Sequence, residues 1–233
     1  MFVLLSAEPD INLLSKRVVI GGVFTPTEVA AVKNKLKSIV SVDGVVLGEQ
    51  ECFGTFVGCL YDKQSKTYIY GMVCQTRPNK VVTVVVDDVN GALFDTGDLL
   101  AVSVGQGGFN VRRVKKFFFE CKACSKTLGA FRSNKKYMAE KLGSPTDGRI
   151  FAWVYKVDPF GRPVAITNDD RVVVITAECD DAPKVGYQYE FPVDCVVNGK
   201  IKSFDNSKLL KKWQPEENNN RRKIEFGAKI RYG

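Results

Sequence analysis

The sequence predicts a mainly β protein: two packed sandwich- or barrel-like β units built of hairpins, with two or three short helices. Three observations carry that expectation. Short runs rich in Val, Ile, Tyr and Phe recur along the chain, several alternating between apolar and polar residues. Pairs that favour tight turns, such as Asp43-Gly44, Asn90-Gly91 and Asn198-Gly199, stand between them. Clear helical spacing is confined to one segment. With 45% hydrophobic and 26% charged residues over 233 positions, the chain can bury a sizeable core without disulfides or metals.

Taken in order, residues 1–14 are apolar but broken at Glu8-Pro9-Asp10, which suits an edge strand or arm. Residues 17–24 read as a strand kinked at Gly21-Gly22. At Thr25-Pro26-Thr27-Glu28 the pattern changes. The Thr25 hydroxyl can accept the Glu28 amide, the Glu28 carboxylate can reach back, and Pro26 suits a first helical position. Val29, Val32, Leu36 and Ile39 then recur at helical spacing, so a helix is expected over 26–39. Hairpins follow: 40–42 with 45–48, 53–61 with 67–75 around a polar turn, and 80–89 with 92–94. A further strand covers 98–104. Residues 81–86 are apolar on both faces, which places them in the middle of a packed sheet.

Gly105-Gln106-Gly107-Gly108 is the best internal break. Beyond it, 109–119 is expected as a strand and 121–142 as a loop and short helix ending at Gly143. The second half repeats the hairpin grammar, with 149–157 against 163–167, strands at 171–178 and 187–191, and 193–197 against 200–204. Residues 206–213 are expected as one and a half helical turns. The chain thus divides into a first β unit (1–104), a basic connecting segment (105–148), a second β unit (149–213), and a linker with a C-terminal strand arm (214–233).

Charge is concentrated in the connecting segment. Between Phe109 and Lys141 there are ten Lys and Arg against two acids, a surplus equal to the +8 of the whole chain. Arg112, Arg113, Lys115, Lys116, Lys122, Lys126, Arg132, Lys135 and Lys136 are therefore the candidate polyanion-binding residues. Phe109, Phe117, Phe118, Phe119, Phe131 and Tyr137 are threaded among them, and cations with flat rings are the composition of a single-strand-binding groove. The competing reading is a solvated or protein-facing basic surface, because alternation puts cations on both faces of a 109–119 strand. Phe151, Trp153 and Tyr155, and likewise Tyr187, Tyr189 and Phe191, share strand faces that stack bases or fill a core. Core is the preferred reading.

The closing residues carry the second candidate. After the polar run 214–222, Ile224, Phe226, Ala228, Ile230 and Tyr232 fall on one face of a strand and Lys223, Glu225, Gly227, Lys229 and Arg231 on the other. Such a strand closes onto its own domain or adds to a sheet edge of a neighbouring subunit.

Catalytic chemistry is thinly supplied. Histidine is absent, which removes the usual general base and the commonest metal ligand. The seven cysteines include one C-x-x-C, Cys121 with Cys124; a zinc site there would need two further cysteines, and no second close pair exists. Two reduced thiols at a strand end is the preferred reading. Asp87-Asp88, Asp169-Asp170 and Asp180-Asp181 lie beside turn residues and read as turns. No phosphate loop of the Walker type occurs, so no cofactor and no enzymatic activity are expected. Met1 to Leu5 lacks a basic flank and is followed by Glu8 and Asp10, unlike a secretory signal, and no apolar run reaches spanning length. The expectation is a non-catalytic assembly subunit, cytoplasmic or within an assembled particle such as a virion, with protein partners and no membrane. The alternative is a single-strand or backbone-directed nucleic-acid-binding protein.

Overall fold

The computed structural model describes residues 17–105, 108–180 and 182–211. The arms expected at 1–14 and 214–233, with the face formed by Ile224, Phe226, Ala228, Ile230 and Tyr232, lie outside the described residues. The fold is mainly β, with thirteen strands in two sheets, one of them a curled half-barrel, and three α-helices among the described residues.

The first sheet contains β1 (Arg17–Val19), β2 (Glu51–Asp62), β3 (Thr67–Cys74), β4 (Val82–Asp87), β5 (Leu99–Gly105) and β6 (Gly108–Lys115), in the order β4-β3-β2-β5-β6. The long strand β2 organises it. Its first half, Glu51 to Thr55, pairs with β5, and its last residues, Leu60 to Asp62, pair with β1. A register shift against β3 between Phe56 and Gly58 bends β2 midway, as bulges do. The second sheet contains β7 (Arg149–Val157), β8 (Pro163–Thr167), β9 (Val172–Ile175), β10 (Gln188–Pro192), β11 (Val196–Val197), β12 (Lys200–Ile201) and β13 (Lys208–Lys211), in the order β11-β12-β9-β8-β7-β10-β13.

Helix α1 (Pro26–Ser38) starts as its sequence requires. The Glu28 amide donates to the Thr25 hydroxyl at 3.3 Å, and the Thr25 amide donates back to the Glu28 carboxylate at 2.8 Å. Its Val29, Val32 and Leu36 are buried with Phe53, Val57, Val73 and Leu99 of the first sheet. Helix α2 (Asp88–Ala92) replaces the hairpin expected around Asn90-Gly91. The Asp87 carboxylate accepts the Asn90 amide at 2.7 Å and its side-chain N–H at 2.8 Å, which caps a helix rather than closing a two-residue turn. Gly91 then lies so close to Tyr68 that a Cβ would come within 2.3 Å of the ring. Helix α3 (Ser125–Tyr137) follows a 3₁₀ turn at Lys122–Cys124 and runs into a π turn at Met138–Leu142. Gly143 stops it with φ 69°.

Four further expectations change. The segment 40–48 forms only a single bridge, Val42 to Val45. The strand expected to reach 119 stops at Lys115, since Phe117 takes a left-handed φ of 47° and gives its amide to Asp98 at 2.9 Å. Residues 208–211 are strand β13 instead of helix, because the edge of β10 offers backbone partners that a single helical turn cannot supply for itself. Strand β4 stands at the edge of its sheet and not in the middle.

The two sheets share a core. Phe56, Tyr70, Met72 and Leu100 of the first meet Trp153, Tyr155, Val164 and Ile166 of the second, with Phe117, Leu128 and Met138 of the connecting segment between them. Phe151, Trp153 and Tyr155 are buried, as are Tyr189 and Phe191, so both aromatic stripes fill core.

Candidate functional site

The nine candidate cations do not form one continuous free surface. Arg112 on β6 forks onto Glu51 (Nε to Oε1 2.9 Å, Nη2 to Oε2 2.7 Å) and donates to the Val46 carbonyl. Arg113 donates to the Leu93 carbonyl at 2.5 Å and lies 3.9 Å from Asp98. Arg132 pairs with Glu120, Lys135 with Asp170 at 2.7 Å, and Lys136 with Glu140 at 3.8 Å. The Lys115 ammonium sits 5.7 Å from the Phe118 ring centre, on a ring that Lys35 also covers at 4.6 Å. Among the described residues, no carboxylate lies within 4 Å of the side-chain ammonium of Lys115, Lys122 or Lys126, although the Lys122 amide donates to the Glu28 carboxylate at 2.8 Å. With Arg132, Lys135 and Lys136, Lys122 and Lys126 face solvent along α3 and the turn before it.

The Arg112 guanidinium, helped by the Gly48 amide, holds the Glu51 carboxyl down to about 2 from its ordinary 4.5. A depressed folded-state value means the stability from this pair is complete above 4.5 and is lost as pH falls toward about 2. Unfolding midpoints of the wild type and of Glu51→Gln should therefore differ by a constant amount above that window and converge within it. A gap unchanged down to the acid end would show the pair to contribute nothing.

Lys116 belongs to a different structure. Its side chain is 3% exposed and reaches Asp95 and, at 3.3 Å, the fully buried Asp98. Lys156 of β7 meets the other Asp95 oxygen at 2.8 Å, and the Tyr155 hydroxyl donates to Asp95 at 2.5 Å. Asp98 also accepts the amides of Asp95 at 3.1 Å and Phe117 at 2.9 Å. Three cations thus surround two carboxylates between the turn before β5, the end of β6, and β7 of the other sheet. Burial works against charge on Asp95, but the Lys116 and Lys156 ammoniums outweigh it and hold its carboxyl well below the usual range. At Asp98 burial dominates and pushes the carboxyl up, and burial likewise pushes the Lys116 ammonium down. Burial and the neighbouring Asp95 keep Tyr155 a neutral phenol and hence a donor. Asp95 and Asp98 were legible only as two aspartates three apart before an apolar strand, a spacing that turn chemistry also produces.

Cys121 and Cys124 are joined by a disulfide, contrary to the expected pair of reduced thiols. The 3₁₀ turn brings their Cα atoms to 5.4 Å, inside disulfide range, and in this form neither is a thiolate donor. Gly22 packs on both sulfurs, where a Cβ would stand 3.0 Å from each. Among the described residues, no three Cys, Asp or Glu side chains gather as a metal site, and no helix is long and apolar enough to cross a membrane.

Beside α3 lies a cleft of about 340 Å³. Phe131 and Met138 from the helix side, and Trp153 and Ile166 from β7 and β8, form its walls; Lys135, Ser144, Asn168 and Asp170 stand at its rim. No protein-family model, curated protein or solved structure matches the chain.

Proposed function

We propose that this chain is a non-catalytic assembly subunit of a larger multi-chain complex, such as a virus particle, and that it docks by strand pairing between subunits. The observation that supports this reading is strand β4. Its run Val82-Thr83-Val84-Val85-Val86, before the closing Asp87, is that of a strand enclosed on all sides, yet no described strand pairs with its outer edge. Val84 is buried, while Val85 is 63% exposed. The opposite edge, β6, carries Arg112, Arg113 and Lys115, the charges that keep edges from pairing. The edges of the second sheet are short (β11) or flanked by Lys208 and Lys211 (β13). A valine-rich edge whose one charge, Asp87, stands at its end is a template for a strand from another chain, and the alternating segment 223–232 of a second copy has the pattern to fill it.

The test is the mass of the purified protein by light scattering. The wild type should be multimeric, and either removal of 223–233 or Val85→Lys should leave monomers with an unchanged unfolding midpoint. A truncated chain that stays assembled at full stability would overturn the mechanism.

A second reading, backbone-directed nucleic-acid binding, is favoured by the exposed cations along α3 and the turn before it, of which the Lys122 and Lys126 ammoniums have no carboxylate within 4 Å among the described residues. Binding of that kind should weaken steeply with salt and fall in Lys122→Glu with Lys126→Glu, whereas strand pairing should respond to neither.

A further inference from the structure

The buried cluster around Asp95 holds an amine against a carboxyl group, with the partners that acyl transfer needs on every side. Lys116 Nζ touches Asp95 Oδ2, so it stands no further than one C–O bond beyond that contact from the carboxyl carbon. The two residues are 21 apart in the chain, and the fold brings them together from the turn before β5 and the end of β6. Lys156 donates to Asp95 Oδ1 at 2.8 Å, and the Tyr155 hydroxyl donates to Oδ2 at 2.5 Å. The fully buried Asp98 carboxyl lies 3.3 Å from Lys116 Nζ. Keeping two charges away from water is costly, and a neutral amide in place of Lys116 and Asp95 removes that cost.

We infer that Lys116 and Asp95 condense within the folded chain to a side-chain amide cross-link, with Asp98 carrying the protons. The ion pair is the reactant state of this step, and either state ties the turn before β5 to the end of β6. Lys116 first gives a proton to Asp98. Burial pushes the Lys116 ammonium down and the Asp98 carboxyl up, and both shifts favour that transfer. With Lys116 neutral, one of the two cations that hold Asp95 ionised is gone, and Asp98 passes its proton to Oδ2. The amine lone pair then attacks the carboxyl carbon, while the Lys156 ammonium steadies the negative charge that develops on Oδ1. Asp98 takes a second proton from the attacking nitrogen and delivers it to Oδ2. The C–Oδ2 bond breaks, the N–C bond remains, and one water leaves; no oxidant takes part and Asp98 ends as it began. A cavity of about 160 Å³ lined by Asp95, Thr96, Tyr155 and Lys156 lies beside the leaving oxygen. Amine and acyl group held in contact make the step unimolecular, which is how a single fold achieves it unaided. The cluster stands apart from β4 and does not depend on the assembly reading.

The experiment is the intact mass of the full chain, incubated folded at neutral pH and then denatured and reduced. It should be lighter than its sequence by one water, and a tryptic map should join the peptides of Asp95 and Lys116, with no cleavage after Lys116. Lys116→Arg keeps the cation but lacks the amine, and should show its full sequence mass. Asp95→Asn should lose one ammonia instead of one water, because nitrogen is then the leaving group. Asp98→Asn keeps an oxygen for the Phe117 amide. It should therefore fold with unchanged circular dichroism and yet retain its full mass. A wild type at full mass overturns the inference. So does a loss of water that persists in Lys116→Arg, which a succinimide at Asp43-Gly44 would give. Condensation in Asp98→Asn overturns the role given to Asp98.

Discussion

Lys116→Met should lower the unfolding free energy by about 3–5 kcal/mol, the usual consequence of removing one partner from a buried ion pair. The lysine alone answers both Asp95 and Asp98, and Asp98 has no solvent to fall back on. Its removal leaves Asp98 with Arg113 at 3.9 Å and two backbone amides, and leaves Asp95 to Lys156 and Tyr155. Because these groups span both sheets, the loss should appear as a lower midpoint of a single unfolding transition in urea. The double variant Lys116→Met with Asp98→Asn should recover part of it, since the uncompensated charge is then gone. By contrast, Arg132→Ala removes a pair whose side chains are 62% and 55% exposed. Exposed pairs contribute about 0–1 kcal/mol, so that variant should be nearly silent. Equal effects for the two would mean the buried cluster has no special role in holding the sheets together.

Gly97→Ala should be of similar size, about 2–6 kcal/mol when left-handed strain and overpacking combine. Gly97 has φ 91°, and a Cβ there would come within 2.3 Å of the Phe119 carbonyl oxygen. That neighbour is backbone, so no rotamer change relieves the clash. Nor can the chain retreat: the Gly97 amide donates to Phe56 at 2.8 Å, and its carbonyl accepts from Phe119 at 2.9 Å. The turn that aims Asp95 and Asp98 is therefore clamped between β2 and the segment after β6. Gly108→Ala is the control, since its φ of 129° is unfavourable but nothing lies within 4 Å. Thermal unfolding should show a large fall for Gly97→Ala and a small one for Gly108→Ala. Equal shifts would show that conformation alone, and not the contact with Phe119, sets the cost.

The parts of the fold that are local in the chain were legible in the residues. The start of α1 follows from four consecutive positions, Thr25 to Glu28, whose atoms can only meet one another. The hairpin of β7 and β8 has the bounds its alternation and its Asp158-Pro159-Phe160-Gly161 turn imply. Asn90-Gly91 misled because a two-residue turn and the end of a capped helical turn use the same residue types; the Asp87 cap and the Tyr68 ring decided between them. The run at 81–86 has a central-strand composition, but composition does not say how many neighbours a strand finds within its own chain.

The amino-acid sequence by itself determined that the chain is built of β hairpins, where its first helix begins, and that its net charge resides in one segment. Only the tertiary structure decided what that charge does. Lys116 and Asp98 are 18 residues apart, and Lys156 and Asp95 are 61 apart. A count of cations in a segment cannot see carboxylates delivered by other strands. Local periodicity records which face a residue turns, whereas ion pairing and sheet position depend on which distant segments the fold brings alongside, and burial then multiplies the strength of those few contacts.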